Sequence, residues 1–104
     1  MISEAAIKQI VQIFCGDIQG YYSYKTGPQL VSFFNQYYRA NDQYHSGFQS
    51  RWAYVYDKLV DLLNTRTIDS FFNTTLGKAF LMRDLGITEV EAVEKMADFV
   101  VNSG

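Results

Sequence analysis

Residue types that form disulfides, kink helices and serve in catalytic sites are scarce, since the 104-residue chain has one cysteine, one proline and one histidine. Cys15 has no partner for an internal disulfide, so a reducing, cytoplasmic setting is expected. Its thiol is interpreted as half-buried and structural. The usual zinc-ligand sets need more cysteine and histidine, and no glycine loop of the phosphate-binding type is present. The sequence therefore predicts no metal, no cofactor and no enzyme activity.

Long apolar runs are also missing. No stretch approaches the ~18 residues of a membrane-spanning helix, and the first residues lack the basic segment of a secretion signal. Nine basic against eleven acidic residues give a formal net charge of -2, which provides no general attraction for a phosphate backbone. We therefore expect no membrane contact, and nucleic acid is the less favoured partner.

Apolar and aromatic residues, in contrast, are abundant: 48% of the chain is hydrophobic, with eight tyrosines and eight phenylalanines. A chain of this length and composition can bury a core of its own. We expect one helical domain over residues 1–104. Because tyrosine serves both in cores and on binding surfaces, so many tyrosines predict that some form an exposed patch.

Apolar residues recur at helical spacing, which predicts an all-α fold, a compact bundle of about five helices. The first helix is predicted to begin at a Ser3 cap and to end at Gly16. The aromatic run at residues 20–25 is interpreted as an extended loop. The second helix is predicted to begin at Thr26 and Gln29, which have the spacing of a capping box.

Three further helices are predicted after a polar loop. Ser50 is a candidate cap for the third helix and Thr67 for the fourth. Gly77 is expected to bend or split that fourth helix. The fifth helix is predicted to begin with a capping box formed by Thr88 and Glu91.

Arg39 and His45 have the spacing used by metal-independent ribonucleases of the HEPN class. In that chemistry the histidine acts as acid or base and the arginine supports phosphate charge. Ala40 stands where a polar residue usually follows the arginine. A small HEPN-like ribonuclease is therefore kept as an alternative function, while a surface loop is the favoured interpretation of the segment.

Residues 85–92 resemble the tight turn of a helix-turn-helix, which makes a DNA-binding module the second alternative. The helix that would read the DNA begins with Glu89, Glu91 and Glu94, whose carboxylates would repel the phosphates. A favourable interaction with the helix dipole explains these residues more simply.

Aromatic side chains surround an arginine at residues 47–54, where a loop becomes a helix. The structural interpretation, which we favour, makes Phe48 a hydrophobic staple, Trp52 a core anchor and Arg51 a surface or stacking partner. The functional interpretation is a binding hot spot, since Trp, Tyr and Arg dominate interface energetics. The candidate binding surface comprises Tyr21, Tyr22, Tyr24, Tyr44 and Arg51.

Several blocks carry a resemblance to a known family: Leu30–Asn35, Gly47–Tyr54, Ile68–Phe72 and the helix with Glu91 and Ala92. Their order resembles the N-terminal domain of AbiJ-type abortive-infection proteins over roughly residues 20–100. The most distinctive part is a Phe-Phe-Asn block followed by a Ser-Arg-Trp block. Because this is not a catalytic signature, no functional residues are carried over.

The resemblance implies a bacterial, cytoplasmic phage-defence protein in which this module senses or docks. Its partner would be a protein or a phage-derived trigger. A separate C-terminal effector domain, often a ribonuclease of the HEPN class, would lie beyond residue 104, so the chain is expected to be the N-terminal part of a longer protein. The leading hypothesis is a non-enzymatic sensing or protein-interaction domain, and homo-oligomerisation is left open.

Overall fold

The computed structural model describes residues 3–103, with side chains described for residues 3–98. Within that range the chain forms six helices and no strand, which confirms the all-α prediction with one helix more than expected. The helices in chain order are α1 (Glu4–Phe14), α2 (Gly27–Tyr38), α3 (Arg51–Asn64), α4 (Ile68–Thr75), α5 (Lys78–Leu85) and α6 (Glu89–Ser103). The chain divides into two compact units, unit 1 up to Asp61 and unit 2 from Leu62. The single-domain expectation stays a prediction.

The helix ends predicted for unit 1 are confirmed. The Ser3 hydroxyl accepts a hydrogen bond from a first-turn amide of α1 at 3.1 Å, and Gly16 follows the helix with a φ of +84°. Thr26 and Gln29 form the capping box of α2, in which each side chain accepts a hydrogen bond from the other residue's amide. The Ser50 hydroxyl caps α3 by accepting a hydrogen bond from the backbone amide of Ala53 at 3.2 Å. These bonds satisfy amides that a helix start leaves without partners.

Aromatic rings join the three helices of unit 1. The ring centroids of Phe14 in α1 and Phe33 in α2 lie 4.9 Å apart, and those of Phe34 in α2 and Tyr54 in α3 lie 5.8 Å apart. Phe14 and Phe34 are fully buried. The tilted and edge-on geometries suit the quadrupoles of the rings. The core of unit 1 is therefore a network of ring contacts between helices.

Unit 2 begins with two short helices where the sequence predicted one. Gly77 is the N-cap of α5, with an extended backbone at φ -75° and ψ 150°, so it splits the predicted fourth helix. Thr67 occupies the N-cap position of α4, but its side chain makes no capping bond. Its hydroxyl lies 2.8 Å from the Thr65 hydroxyl instead. Thr67 is therefore the N-cap residue as predicted, but its side chain does not cap the helix.

The remainder of unit 2 is centred on α5, which packs against both α4 and α6. Leu81 of α5 and Ala92 of α6 are fully buried. Gly86 ends α5 in the left-handed region with a φ of +65°. The predicted capping box of Thr88 and Glu91 is confirmed at the start of α6 by two bonds between amide and side chain, at 3.1 and 3.2 Å. A small side chain such as Ala92 lets two helix backbones approach closely.

Candidate interaction surface on unit 1

The α1–α2 loop, residues 15–26, folds back on its own beginning. The amide of Lys25 donates to the carbonyl of Cys15 at 2.9 Å. Gly16 lies so close to the returning chain that a β-carbon there would be 2.1 Å from the carbonyl oxygen of Ser23. Only glycine fits this approach and also adopts the positive φ freely. The loop predicted for the aromatic run is thus confirmed, and it has a fixed base.

Lys25 is buried, with 7% of its surface exposed. Its ammonium donates to the carbonyl oxygens of Phe14 and Ser23, at 3.1 Å each. The same nitrogen lies 4.8 Å from the ring centroid of Phe14 and 5.1 Å from that of Tyr22. Carbonyl oxygens and ring faces supply the negative potential that a buried cation requires. Lys25 therefore ties the end of the loop to the end of α1.

Arg51, the first residue of α3, fastens the same loop from the other side. Its Nε donates to the carbonyl of Lys25 at 2.6 Å, and its Nη2 donates to the carbonyl of Cys15 at 2.8 Å. Its Nη1 forms an ion pair with the Asp17 carboxylate at 3.1 Å. The indole N–H of Trp52 donates to that same carboxylate. Charge-assisted bonds of this kind are stronger than neutral ones, so both ends of the loop are held against the start of α3.

Cys15 lies inside this network and has no exposed surface, which corrects the expectation of a half-buried thiol. Burial raises the pKa of the thiol to about 11, against the opposing charge of Arg51. The thiol is therefore protonated near neutral pH and is a poor nucleophile. Its structural interpretation agrees with both observations.

Among the described residues of unit 1, three large aromatic side chains are exposed. Tyr24 is 59% exposed, Tyr44 is 52% exposed and Trp52 is 45% exposed. The Arg51 guanidinium lies 4.1 Å from the ring centroid of Tyr24, so one face of that ring stacks on a fixed cation while the residue as a whole stays accessible. We call Tyr24, Tyr44 and Trp52 the aromatic surface.

The sequence placed several of these residues differently. Trp52 is not the predicted core anchor, because its side chain is exposed and bonded to a carboxylate. Tyr22 lies in the core against Lys25 and adds nothing to an exposed patch, while Tyr21 is half-buried. Phe48 makes the contact that the staple interpretation predicted, since its ring centroid lies 5.2 Å from that of Tyr54, the fourth residue of α3. It lies two residues before the Ser50 cap, however, and not directly before it as in the usual staple.

Tyr44 is held in place by close packing on the start of α2. A β-carbon at Gly27 would lie 2.3 Å from the Cε1 atom of the Tyr44 ring, so the ring lies directly on the glycine. Its centroid is also 5.3 Å from that of Phe48. The sequence had no signal for this contact, because Gly27 precedes a proline at a helix start and suggests only a turn.

A second polar cluster fixes the α2–α3 loop, residues 39–50. Asn35 brackets the backbone of Asp42 with one donated and one accepted hydrogen bond, at 2.9 and 3.1 Å. The Asp42 carboxylate accepts from Lys58 at 2.6 Å and from the hydroxyl of Tyr54 at 2.8 Å. The bond from Lys58, then that from Tyr54, lowers the pKa of Asp42. Burial, then the bond to Asp42, raises the pKa of Tyr54.

Lys25, Asp17 and Asp42 were not identified from the sequence as positioning residues. A lysine within an aromatic loop and an aspartate after a helix are typical of solvated positions. The partners that bind these side chains are backbone carbonyls and residues distant in the chain, which leave no local pattern. Arg51 alone was identified, as a stacking partner or hot spot.

Arg39 begins the α2–α3 loop and His45 lies near the middle of it. Arg39 is the C-cap of α2, with a left-handed φ of 55°, and its side chain is exposed. The Nδ1 atom of His45 lies 2.9 Å from the carbonyl oxygen of Ser46, and its ring is edge-on to Phe48. No hydrogen bond joins Arg39 to His45 among the bonds of the described residues. The ribonuclease alternative stays a prediction.

The acidic start of α6 is occupied by local contacts. Glu89 forms an ion pair with Lys78 at 3.3 Å. Glu91 accepts from the amide and the hydroxyl of Thr88, which lowers the pKa of its carboxyl. Capping thus explains Glu91, and both carboxylates also suit the positive end of the helix dipole. Residues 85–92 contain no lysine or arginine that could contact DNA phosphates. The DNA-binding alternative stays a prediction.

Residues 3–103 contain no helix long and apolar enough to cross a bilayer. The same residues contain no group of three or more His, Cys, Asp or Glu side chains that could hold a metal ion. Comparison of the chain with protein-family models, with curated proteins and with solved structures finds no match.

Proposed function

We propose that the chain is a non-enzymatic sensing or protein-interaction domain of a bacterial abortive-infection protein. It binds a protein partner, or a trigger made by the phage, through the aromatic surface of unit 1. The observation that carries the proposal is the placement of Tyr24 and Trp52. Both side chains are exposed, while Arg51 and Asp17, which contact them, are fixed by hydrogen bonds.

Composition and rigidity both support a binding role for this surface. Trp, Tyr and Arg are the residues that most often dominate interface energetics. Ordering a mobile loop on binding lowers affinity. In this protein the hydrogen bonds of Lys25 and Arg51 hold the α1–α2 loop in the absence of a partner. The rings of Tyr24 and Trp52 therefore each contact a residue of this ordered network, Arg51 and Asp17 respectively.

The resemblance to AbiJ-type proteins supplies the biological setting of the proposal. In that setting the module works in the bacterial cytoplasm and controls a toxic effector domain located C-terminal to it. The buried, protonated thiol of Cys15 fits the structural role that the proposal gives this residue. Arg39 and His45 have no role in this proposal.

A phage challenge tests the proposal in bacterial cells that carry the gene in its natural form. The double variant Tyr24→Ala with Trp52→Ala removes two exposed rings and no buried contact between helices. Loss of two hot-spot side chains should weaken partner binding by about 10- to 100-fold. Phage protection should fall accordingly. The circular dichroism spectrum of the purified variant should stay close to that of the parent, and its melting temperature should fall only by the small amount that loss of the Trp52–Asp17 bond and of the Tyr24–Arg51 stacking explains.

Leu76→Ala is the matched control, because Leu76 is an exposed apolar residue of unit 2 outside the aromatic surface. It should leave phage protection unchanged. If the folded double variant protected as well as the parent, the aromatic surface would have no part in function and the proposal would be overturned.

A further inference from the structure

Unit 2 carries an exposed apolar stripe that its own core does not use. Val90, Val93 and Ala97 are exposed and lie at i, i+3 and i+7 along α6, with Val90 68% and Val93 53% exposed. That spacing places all three on one face of the helix. Ala92, on a different face, is fully buried within the protein. We call Val90, Val93 and Ala97 the outer stripe.

The residue types of the outer stripe do not follow from helix stability. A β-branched valine loses side-chain freedom in a helix, so Ala, Gln, Glu or Lys is the better residue where packing does not decide. Two exposed valines on one face, at 68% and 53% exposure, contribute little to the stability of unit 2. Apolar residues at this spacing are typical of a face that receives another helix.

One border of the outer stripe is acidic. Glu91, Glu94 and Asp98 are exposed and repeat the i, i+3, i+7 spacing, one position along from the apolar residues. Glu94 and Asp98 form no ion pair within the described part of the chain. Their charge is therefore available to a partner, and it sets the sign that the partner must carry.

We propose that the outer stripe of α6 binds an amphipathic helix of a protein partner, with Leu-type residues on its apolar face and Lys or Arg beside them. A second copy of this chain would bring two acidic borders together in an antiparallel pair, where like charges repel. A membrane surface with anionic lipids would be repelled in the same way. A basic amphipathic helix would pack its apolar residues on the outer stripe and pair its lysines or arginines with the acidic border.

The test uses the 104-residue chain and two synthetic helical peptides with the same leucine stripe. One peptide carries lysine at its borders and the other carries glutamate. The lysine peptide should bind, shift the NMR signals of α6 and lose affinity as salt is raised, because salt screens the acidic border. The glutamate peptide should bind much more weakly.

The variant Val90→Gln with Val93→Gln removes the apolar contact and keeps the charge of the helix. It should weaken binding of the lysine peptide roughly tenfold or more. Its melting temperature should be equal to or above that of the parent, because glutamine is the better helix former. Ala5→Gln, an exposed substitution in α1, is the matched control and should leave binding unchanged.

Three outcomes would overturn the proposal. They are no binding of the lysine peptide at low salt, binding that the double variant does not weaken, and equal binding of both peptides. Sedimentation of the chain alone separates a further case: a dimer that the same double variant dissociates would assign the outer stripe to a second copy instead. None of these outcomes bears on the aromatic surface, whose residues lie in unit 1.

Discussion

The helices of unit 1 and those of unit 2 are joined by different kinds of connection. Unit 1 has two long connections, and each is fastened by buried or half-buried charged groups: Lys25 and Arg51 hold the α1–α2 loop, and Asp42 holds the α2–α3 loop. The connections of unit 2 are two to three residues long and depend on glycines and helix caps. Long loops held by specific bonds can display side chains precisely, which short turns rarely do.

Both cores bury aromatic rings, but the helices of the two units pack differently. Unit 1 packs aromatic rings between helices, with Phe14, Phe33 and Phe34 in contact. In unit 2 Phe71 and Phe80 are also buried, and the packing of α5 against α6 accompanies the fully buried Ala92. The ends of the α1–α2 loop in unit 1 are also held by bonds from Lys25 and Arg51 to backbone carbonyls. We therefore expect substitutions at equivalent positions to cost more in unit 1 than in unit 2.

The largest expected difference concerns two glycines that follow helix ends with positive φ. Gly16→Ala should cost roughly 2 to 5 kcal/mol in free energy of unfolding, because left-handed strain adds to a clash with the Ser23 backbone. Gly86→Ala has nothing within 4 Å of the added β-carbon, so it should cost only about 1 to 2 kcal/mol. Urea unfolding of both variants measures the difference.

Equal costs at Gly16 and Gly86 would show that the α1–α2 loop yields to the added methyl group, and the loop would then not be fixed. Gly20→Ala is a useful internal control, because its φ is +98° but a β-carbon there meets nothing within 4 Å. It should resemble Gly86→Ala although it lies in the same loop as Gly16.

The second prediction concerns Arg51. Arg51→Ala should cost about 2 to 4 kcal/mol, since it removes charge-assisted bonds and leaves the carbonyls of Cys15 and Lys25 without that donor. Arg51→Lys should recover less than half of the loss, because an ammonium cannot reproduce the guanidinium fork. Chemical denaturation gives both values.

Lys8→Ala is the matched control for a lost cation. Lys8 pairs with Glu4 at 3.1 Å, and both side chains are well exposed. Such a pair contributes about 0.3 to 0.5 kcal/mol. If Arg51→Ala cost no more than Lys8→Ala, the network at the start of α3 would be a surface feature and not a fastening.

Much of the backbone could be predicted from local signals, because caps and glycine stops act within four residues. The capping boxes at Thr26 and Thr88 and the ending of helices at Gly16 and Gly86 are of this kind. The site was harder to predict. Arg51 binds Asp17, which is 34 residues away in the chain, and such pairs leave no periodic trace in a single sequence.

Trp52 shows why the predicted core differed from the observed one. Its helical spacing from Val55 and Leu59 predicted burial, and those two residues are buried. The indole N–H, however, has an ionised partner in Asp17 near the surface. A tryptophan gains from such a bond while part of its ring stays in water, so periodicity alone overestimates its burial.

The third prediction is a pH dependence that distinguishes two carboxylates. The pKa of Asp42 is lowered by its bonds to Lys58 and Tyr54, so its contribution to stability is present above the unfolded value near ~4 and is lost as pH falls through the folded value. Asp42→Asn should cost about 1 to 2 kcal/mol near neutral pH. That cost should shrink steadily in acid, as measured by urea unfolding across the acidic range.

Glu91→Gln is the counterpart in unit 2, where the pKa of Glu91 is also lowered but the side chain is exposed. Its pH dependence should have the same sign and a smaller size. A cost of Asp42→Asn that does not change with pH would assign its effect to packing rather than to charge.

The smallest expected effect concerns backbone strain at one arginine in each unit. Here we expect no difference between unit 1 and unit 2. Arg39 and Arg66 both have left-handed backbones, with φ of 55° and 60°. A residue with a β-carbon is strained there by about 1 to 2 kcal/mol. Glycine relieves this strain, but part of the gain is offset because glycine loses more conformational freedom on folding. Arg39→Gly in unit 1 and Arg66→Gly in unit 2 should each stabilise the protein by about 0.5 kcal/mol.

The matched variants Arg39→Ala and Arg66→Ala remove the same charge without relieving the backbone, so they should not raise the melting temperature. The gain from glycine should be equal in the two units, because the strain lies within one residue at a helix end and involves neither the aromatic core nor the charged fastenings. If only Arg66→Gly stabilised the protein, the side chain of Arg39 would have to contribute to unit 1 in its own right.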